Sequence, residues 1–284
     1  MKYLKTLLAC MALLLTSACA QIGLQAANLP THFSSSKLTR NIVFDPATKL
    51  ALDIYIPPET SPKARPVIVF FYGGRWESGE KESYRFVGDA LAQKGFITVI
   101  PDYRKYPNIR FPAFVEDAAK AVAWVHDNIE NYGGTPARIY VTGHSSGAHL
   151  GALITADEHY LKALNQPPHV IKAFAGLAGP YAFTPNAPDL EDMFGPPANY
   201  PTMMVTNFID GHEAPMLLLY GDRDEDVGRF NLDRLKKRIE EKGGRVETKI
   251  YPGIDHKWIV AAMSWLGRNK APVIDDMAEY FKTH

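Results

Sequence analysis

Gly143-His144-Ser145-Ser146-Gly147 follows the apolar run Arg138-Ile139-Tyr140-Val141-Thr142 and precedes Ala148-His149-Leu150-Gly151-Ala152-Leu153-Ile154. The pattern predicts a strand, a sharp turn and a helix, with a serine at the tip. A turn this tight holds the serine in strained backbone geometry, and small residues at 143 and 147 let strand and helix approach closely enough to expose its hydroxyl. This is the GxSxG nucleophile elbow, and it makes Ser145 the candidate nucleophile.

On both sides of the elbow, short apolar runs alternate with amphipathic stretches. Upstream, Pro66-Val67-Ile68-Val69-Phe70-Phe71 is continuously apolar, as expected of a strand buried on both faces. A helix over 84–93, a strand over 96–100 and a helix over 114–129 follow. The last places Phe114, Ala118, Ala121, Val122, Val125 and Ile129 on one face and Glu116, Asp117 and Lys120 off it. Downstream, a strand over 171–177 leads into a passage at 178–214 rich in Pro and Gly, which reads either as a cap or small lid beside the site or as a plain surface excursion. A strand over 215–220, a helix over 230–242 closed by Gly243-Gly244, a strand over 245–251 and a helical C-terminus complete the chain. Near the start, runs at 38–44 and 51–56 around Asp45-Pro46 predict an antiparallel hairpin. Right-handed crossovers among the remaining strands give an α/β fold, one doubly covered and mostly parallel sheet, as a single catalytic domain over 38–284.

The 284 residues are 46% apolar, enough for the core of one such domain. Lys and Arg total 31 against 31 Asp and Glu, so net charge recruits neither nucleic acid nor an anionic membrane, and a small neutral partner is expected. Residues 1–20 differ from the rest: Lys2 and Lys5, an apolar run over 7–15, then Thr16-Ser17-Ala18-Cys19-Ala20. This is an export signal, too short to span a bilayer permanently. Ala18-Cys19-Ala20 fits ordinary cleavage before Gln21, whereas Leu15-Thr16-Ser17-Ala18-Cys19 resembles a bacterial lipobox with the cysteine lipidated. Cys10 and Cys19 are the only cysteines, so the mature domain has no disulfide framework. A cysteine kept only at the cleavage site favours an outer-membrane lipoprotein facing the periplasm over a soluble periplasmic or secreted protein. Residues 21–37, with Ser34-Ser35-Ser36, read as a tether.

A serine hydroxyl needs a base, and the base needs a carboxylate to fix its tautomer and stabilise its positive charge. After an elbow of this kind the acid precedes the histidine in the chain. His256, in the loop Pro252-Gly253-Ile254-Asp255-His256, satisfies that order, whereas His284 is the chain terminus and His144 and His149 read as structural. The acid belongs in Gly221-Asp222-Arg223-Asp224-Glu225-Asp226-Val227, where Asp222, Asp224 and Asp226 all qualify. Charge developing on a substrate carbonyl oxygen is met by backbone amides, here those of Ser146 and of the loop Phe71-Tyr72-Gly73-Gly74-Arg75-Trp76-Glu77-Ser78-Gly79. This chemistry calls for no metal or cofactor.

Together, Tyr72-Gly73-Gly74-Arg75-Trp76, Pro101-Asp102-Tyr103-Arg104, Tyr132-Gly133-Gly134 and residues 143–150 carry a resemblance. Residues 50–284 resemble bacterial carboxylesterases of the α/β-hydrolase fold, on the branch related to hormone-sensitive lipase, arylformamidase and isoprenylcysteine methylesterase. The resemblance implies a serine carboxylesterase acting on small esters through an acyl-enzyme. It places the acid on Asp224 through a GxxDxxV match, the base on His256 through GxxH, and the oxyanion amides on Gly74, Arg75 and Ser146. Tyr72 and Arg75 depart from the family's HGGGW, standing where it has histidine and a third glycine. An arylformamidase-type amide hydrolase with the same triad and a catalytically inactive surface binding protein are the other readings.

Overall fold

The computed structural model of the chain describes residues 22–59 and 63–284; residues 1–20, read as an export signal with Cys19 lipidated, lie outside the described residues. The apolar runs become eight strands: β1 (Lys37–Asp45), β2 (Leu50–Ile56), β3 (Arg65–Phe71), β4 (Ile97–Pro101), β5 (Gly134–His144), β6 (Ile171–Leu177), β7 (Met216–Gly221) and β8 (Val246–Tyr251). They form one sheet in the order β1-β2-β4-β3-β5-β6-β7-β8, antiparallel from β1 to β4 and parallel thereafter. The parallel centre is dry on both faces, with Val67, Ile68, Val69, Phe70, Val141, Phe174 and Leu218 fully buried.

The helices are α1 (residues 22–28), α2 (Arg85–Gln93), α3 (Ala113–Asn128), α4 (Ser146–Ala156), α5 (His159–Lys162), α6 (Pro188–Phe194), α7 (Tyr200–Met203), α8 (Phe230–Glu241), α9 (His256–Ala261) and α10 (Val273–Thr283). From β3 the chain steps outward to β4 and then back across to β5, so right-handed crossovers set α2 on one face and α3 and α4 on the other. Accordingly α2 packs with α10, and α3 with α4. Every residue of α4 is buried, which makes the helix behind the elbow the most enclosed of the fold.

The elbow follows from this packing. Ser145 has φ 55° and ψ −124°, and its amide donates to the Leu177 carbonyl at 2.9 Å, which holds the turn against the end of β6. A methyl group on Gly147 would lie 2.1 Å from the Phe71 carbonyl oxygen, and one on Gly143 would lie 2.5 Å from the Gly147 backbone. Both positions exclude side chains because α4 starts in contact with β3 and β5.

The segment read as a tether is docked where it is described. Leu24 and Ala27 pack on the core, and the Asn28 side chain donates to the Glu82 and Ser83 carbonyls, each at 3.1 Å. Its carbonyl accepts the Phe86 amide at 2.9 Å, satisfying one of the free amides at the start of α2. A single asparagine acting on a helix more than fifty residues away leaves no periodic trace in the sequence. Residues 178–214 are likewise folded rather than open, as α6, α7 and the short 3₁₀ turns Pro197–Asn199 and Val205–Asn207.

Gly147→Ala should cost about 1–3 kcal/mol by overpacking, or more if the β3 carbonyl cannot shift. Urea unfolding of this variant checks it; an unchanged midpoint would mean that the contact between α4 and β3 is looser than described.

Candidate active site

Three loops at the C-terminal ends of the parallel strands meet at Ser145. The first follows β7, where the Asp224 carboxylate, fully buried, accepts the amides of Asp226 at 3.0 Å and Val227 at 2.8 Å through Oδ1. Its Oδ2 lies 2.8 Å from His256 Nδ1. The second loop follows β8 and ends in α9, whose first residue is His256 and whose N-cap Asp255 accepts the Lys257 and Trp258 amides. His256 Nε2 is 2.8 Å from Ser145 Oγ. With an ionised carboxylate at Nδ1, that nitrogen carries the hydrogen and Nε2 is left to accept from the serine.

Of the three acids the sequence left open, only Asp224 reaches His256. Asp222 accepts the Gly253 amide at 2.6 Å and so ties the β7 loop to the β8 loop, while Asp226 contributes its amide to Asp224.

The third loop follows β3 and runs beneath the serine. A methyl group on Gly73 would lie 3.0 Å from Ser145 Cβ. Gly74, with φ 141°, turns its carbonyl inward to accept from the Glu77 and Ser78 amides, and a Cβ there would lie 2.2 Å from the Ser78 carbonyl oxygen. Arg75 and Trp76 both have left-handed φ, 55° and 59°, a costly conformation for residues with side chains and one that clusters at functional sites. Ser146 is the first residue of α4, so its amide has no partner within the helix. Gly74, Arg75 and Ser146, the amides proposed from sequence, therefore lie on the two segments that border Ser145.

Tyr72 stiffens this loop in a way the sequence left open. Its ring lies between Tyr84 and Tyr103, at centroid distances of 5.4 and 4.9 Å. Burial pushes its hydroxyl well above the ordinary tyrosine value, so it stays protonated and donates to Asp102 at 2.6 Å. Tyr103 returns a hydrogen bond to the Tyr72 carbonyl at 3.0 Å. Asp102 also accepts the Lys81 amide at 3.0 Å, and the Lys81 ammonium is sealed in among Asp53, Asp102, Asn41 and Glu82. Burial opposes that charge, yet Glu82 and the neighbouring carboxylates hold it above the ordinary lysine value.

Trp76 and Arg75 link the same loop to residues 178–214. The Trp76 ring packs against His149, Phe183 and Phe194 at 5.3, 5.5 and 5.0 Å. The Arg75 guanidinium, half exposed, pairs with Asp189 at the start of α6. Asn231 accepts the Ala182 amide at 2.9 Å, and Met193 accepts the Phe111 amide at 2.9 Å. Residues 178–214 are thus a cap fastened at several points.

His144 and His149, read as structural, hold site elements in place. His144 Nε2 donates to the His256 carbonyl at 2.8 Å, and the two rings are 4.7 Å apart. His149 Nε2 donates to the Met203 carbonyl at 2.7 Å and so anchors the cap to α4. Partners 112 and 54 residues away put both roles out of reach of local sequence. Beside His256 an open groove of about 680 Å³ is lined by Arg223, Asp226, Gly253, Trp258 and Lys270.

A sequence model of the BD-FAE family matches residues 52–239, most of the chain and all of the elbow. The chain belongs to the BD-FAE family. It is 36% identical to a probable isoprenylcysteine alpha-carbonyl methylesterase of Arabidopsis thaliana over 61% of this chain and 40% of that protein. It is 29% identical to esterase LipQ of Mycobacterium tuberculosis over 83% of this chain and 62% of that protein. The chain thus spans about two fifths to three fifths of the length of these curated relatives. Esterase B from Lactobacillus rhamnosis superposes with a TM-score of 0.81 at 16% identity, covering 100% of this chain and 96% of that one. This BD-FAE chain accordingly has the α/β-hydrolase fold that the resemblance implied.

Burial pushes the His144 imidazole down to about 3, with His256 adding to the effect, and pushes His149 down to about 4. Both are neutral when folded and ordinary, near 6.5, when unfolded. The unfolded chain then binds more protons below about pH 6.5, so stability is full above that pH and falls as pH drops toward about 4, by up to about 1.4 kcal/mol per pH unit for each histidine. Urea midpoints from pH 7.5 to 4.5 measure this slope. His149→Gln, which retains a donor without the titration, should make it shallower; an unchanged slope would remove His149 as a source.

Proposed function

We propose that the protein is a serine carboxylesterase acting on small carboxylic esters. The observation that carries this reading is the unbroken hydrogen-bonded series from Ser145 Oγ through His256 to the buried Asp224, with a glycine loop pressed against the serine. Family membership and the esterases among the relatives support it.

In this mechanism Ser145 Oγ attacks the ester carbonyl carbon as its proton passes to His256 Nε2. Asp224 holds the ring in the tautomer that accepts the proton and stabilises the imidazolium. The oxyanion is met by the amides of Gly74, Arg75 and Ser146, donors fixed in place before the reaction. His256 then protonates the departing alcohol as the carbon–oxygen bond breaks, leaving an acyl-Ser145 ester. Water, deprotonated by His256, attacks this ester and releases the acid, and the proton returns to Ser145. The backbone amides ask nothing of the Arg75 side chain, which is engaged with Asp189.

For location, the reading is export, with Cys19 lipidated and the catalytic domain facing the periplasm. It is supported by the basic start, the apolar run at 7–15 and the single cysteine at the cleavage region.

Ser145→Ala should fold normally, lose on the order of 10⁴ to 10⁶ in turnover and escape labelling by a fluorophosphonate. Asp224→Asn should lose about 10⁴, and Asp222→Asn and Asp226→Asn far less. A panel of nitrophenyl esters with N-formylkynurenine reads all four; near-normal ester hydrolysis by Ser145→Ala would overturn the mechanism, and preferential cleavage of the formamide would move the substrate class. Wild-type protein should stay with the membrane fraction through an alkaline carbonate wash, whereas Cys19→Ala should be released by it; equal release of both forms would refute lipidation.

A further inference from the structure

Residues 22–33 present a face for which the triad has no use. Ile22, Leu29 and Phe33 are 63%, 58% and 93% exposed, while Leu24, Ala27 and Asn28 turn toward the body. The seven-residue spacing puts Ile22 and Leu29 on one side of α1 as it passes into the 3₁₀ turn Leu29–Phe33, and Phe33 closes that turn. Trp265 Nε1 donates to the Ala26 carbonyl at 3.0 Å, which brings the half-exposed Trp265 and its neighbour Leu266 alongside. Five of the eight large hydrophobic residues exposed among the described residues therefore gather at one place, where scattered singles would need no explanation.

The two segments that form this face carry charge of one sign, although the Asp89 carboxylate of α2 reaches them and accepts from the Ser34 hydroxyl. All 31 acidic residues lie at Asp45 or later, so residues 22–44 carry Lys37 and Arg40 and no acid. Trp265-Leu266-Gly267-Arg268-Asn269-Lys270 adds two more basic residues and again no acid. The overall balance of 31 against 31 conceals this asymmetry. An apolar patch with tryptophan at its edge and a basic rim suits the interfacial zone of an anionic phospholipid bilayer, where rings and aliphatic groups enter the headgroup boundary and cations meet phosphates.

The position of the face in the chain selects the same occupant. Cys19 stands three residues before Ile22, a reach of at most about 11 Å even when fully extended. A lipid on Cys19 would leave α1 no room to stand away from the membrane.

We propose that Ile22, Leu29, Phe33, Trp265 and Leu266, rimmed by Arg268 and Lys270, rest on the phospholipid bilayer and orient the catalytic domain there. The proposal rests on the export reading but not on lipidation, because the face has affinity of its own. Lys270 lies 4.5 Å over the Trp258 ring, and both line the groove that reaches His256, so the groove opens near the membrane surface.

The test uses the exported Cys19→Ala protein, its processed N-terminus confirmed by mass, with vesicles of phosphatidylethanolamine and phosphatidylglycerol. It should co-sediment with them, more weakly with phosphatidylcholine alone, and show a tryptophan emission shift that Trp265→Phe removes. Phe33→Ser/Trp265→Ser/Leu266→Ser should lower vesicle partitioning at least tenfold with turnover of a soluble ester unchanged. Leu29→Ser/Phe33→Ser, the milder change, should lower it in the same direction. No vesicle binding by the Cys19→Ala protein, or binding indifferent to both sets of changes, would overturn the proposal. So would a concentration-dependent dimer that the triple variant abolishes, which would make a second copy of the chain the occupant. Incorporation of labelled palmitate into the wild-type protein reads the lipidation separately, so the two ideas fail independently.

Discussion

The site depends on the contact between the first turn of α4 and the last residues of β3. Gly147 sits so close to the Phe71 and Tyr72 carbonyls that a side chain has no space, and this contact drives Ser145 into its left-handed backbone. Several consequences follow from one short distance. The serine oxygen is lifted out of the sheet, the Ser146 amide is left at a bare helix start, and the loop leaving β3 must pass directly beneath the hydroxyl. The proposed nucleophile and oxyanion donors are therefore positioned by the same packing, at the centre of a sheet dry on both faces.

What holds the loop after β3 in register is a buried polar cluster rather than apolar packing alone. Tyr72 is hydrogen-bonded at both ends, by its hydroxyl to Asp102 and by its carbonyl to Tyr103, and stacked on both faces. Lys81 supplies the cation that faces the buried Asp53 and the partly exposed Asp102. The bonds among Tyr72, Asp102, Tyr103 and Lys81 fix the backbone that leads into Gly73 and Gly74, while Asp53 keeps one buried carboxylate oxygen without a hydrogen-bond partner.

The sequence and the structure agree where local chemistry decides the outcome. The elbow needs small residues at two fixed positions, and short β-branched apolar runs bounded by turn residues suit strands buried on both faces, so Ser145 and the strand framework were legible. His256 followed from chain order. The acid was not separable by residue type, because Asp222, Asp224 and Asp226 differ only in which way a turn points them, and the family pattern was needed to choose Asp224. Long-range partners left no sign at all. Asn28 capping α2, His144 gripping the His256 carbonyl and His149 gripping Met203 each join segments whose proximity exists only after the sheet has closed. The expected tether at 21–37 failed for that reason, since what docks its described part is one asparagine and two apolar side chains. Tyr72 could be recognised as a departure from a pattern, but its phenol–carboxylate replacement for the histidine could not be read from spacing.

Trp76 belongs to two structures at once. Its backbone continues the oxyanion loop in a left-handed conformation, and its ring is shared with Phe183 and Phe194 of the cap and with His149 of α4. Under the proposed mechanism, selectivity and rate are consequently not independent variables. In that mechanism, a substitution that reshapes the cap to admit a bulkier acyl group also moves the ring of the residue that follows Gly74 and Arg75, so its effect would be felt in the acylation barrier as well as in binding. Accommodating a new substrate without loss of speed then calls for paired changes on segments about a hundred residues apart, and a graft of the cap alone would carry a kinetic penalty unrelated to the substrate it was meant to fit.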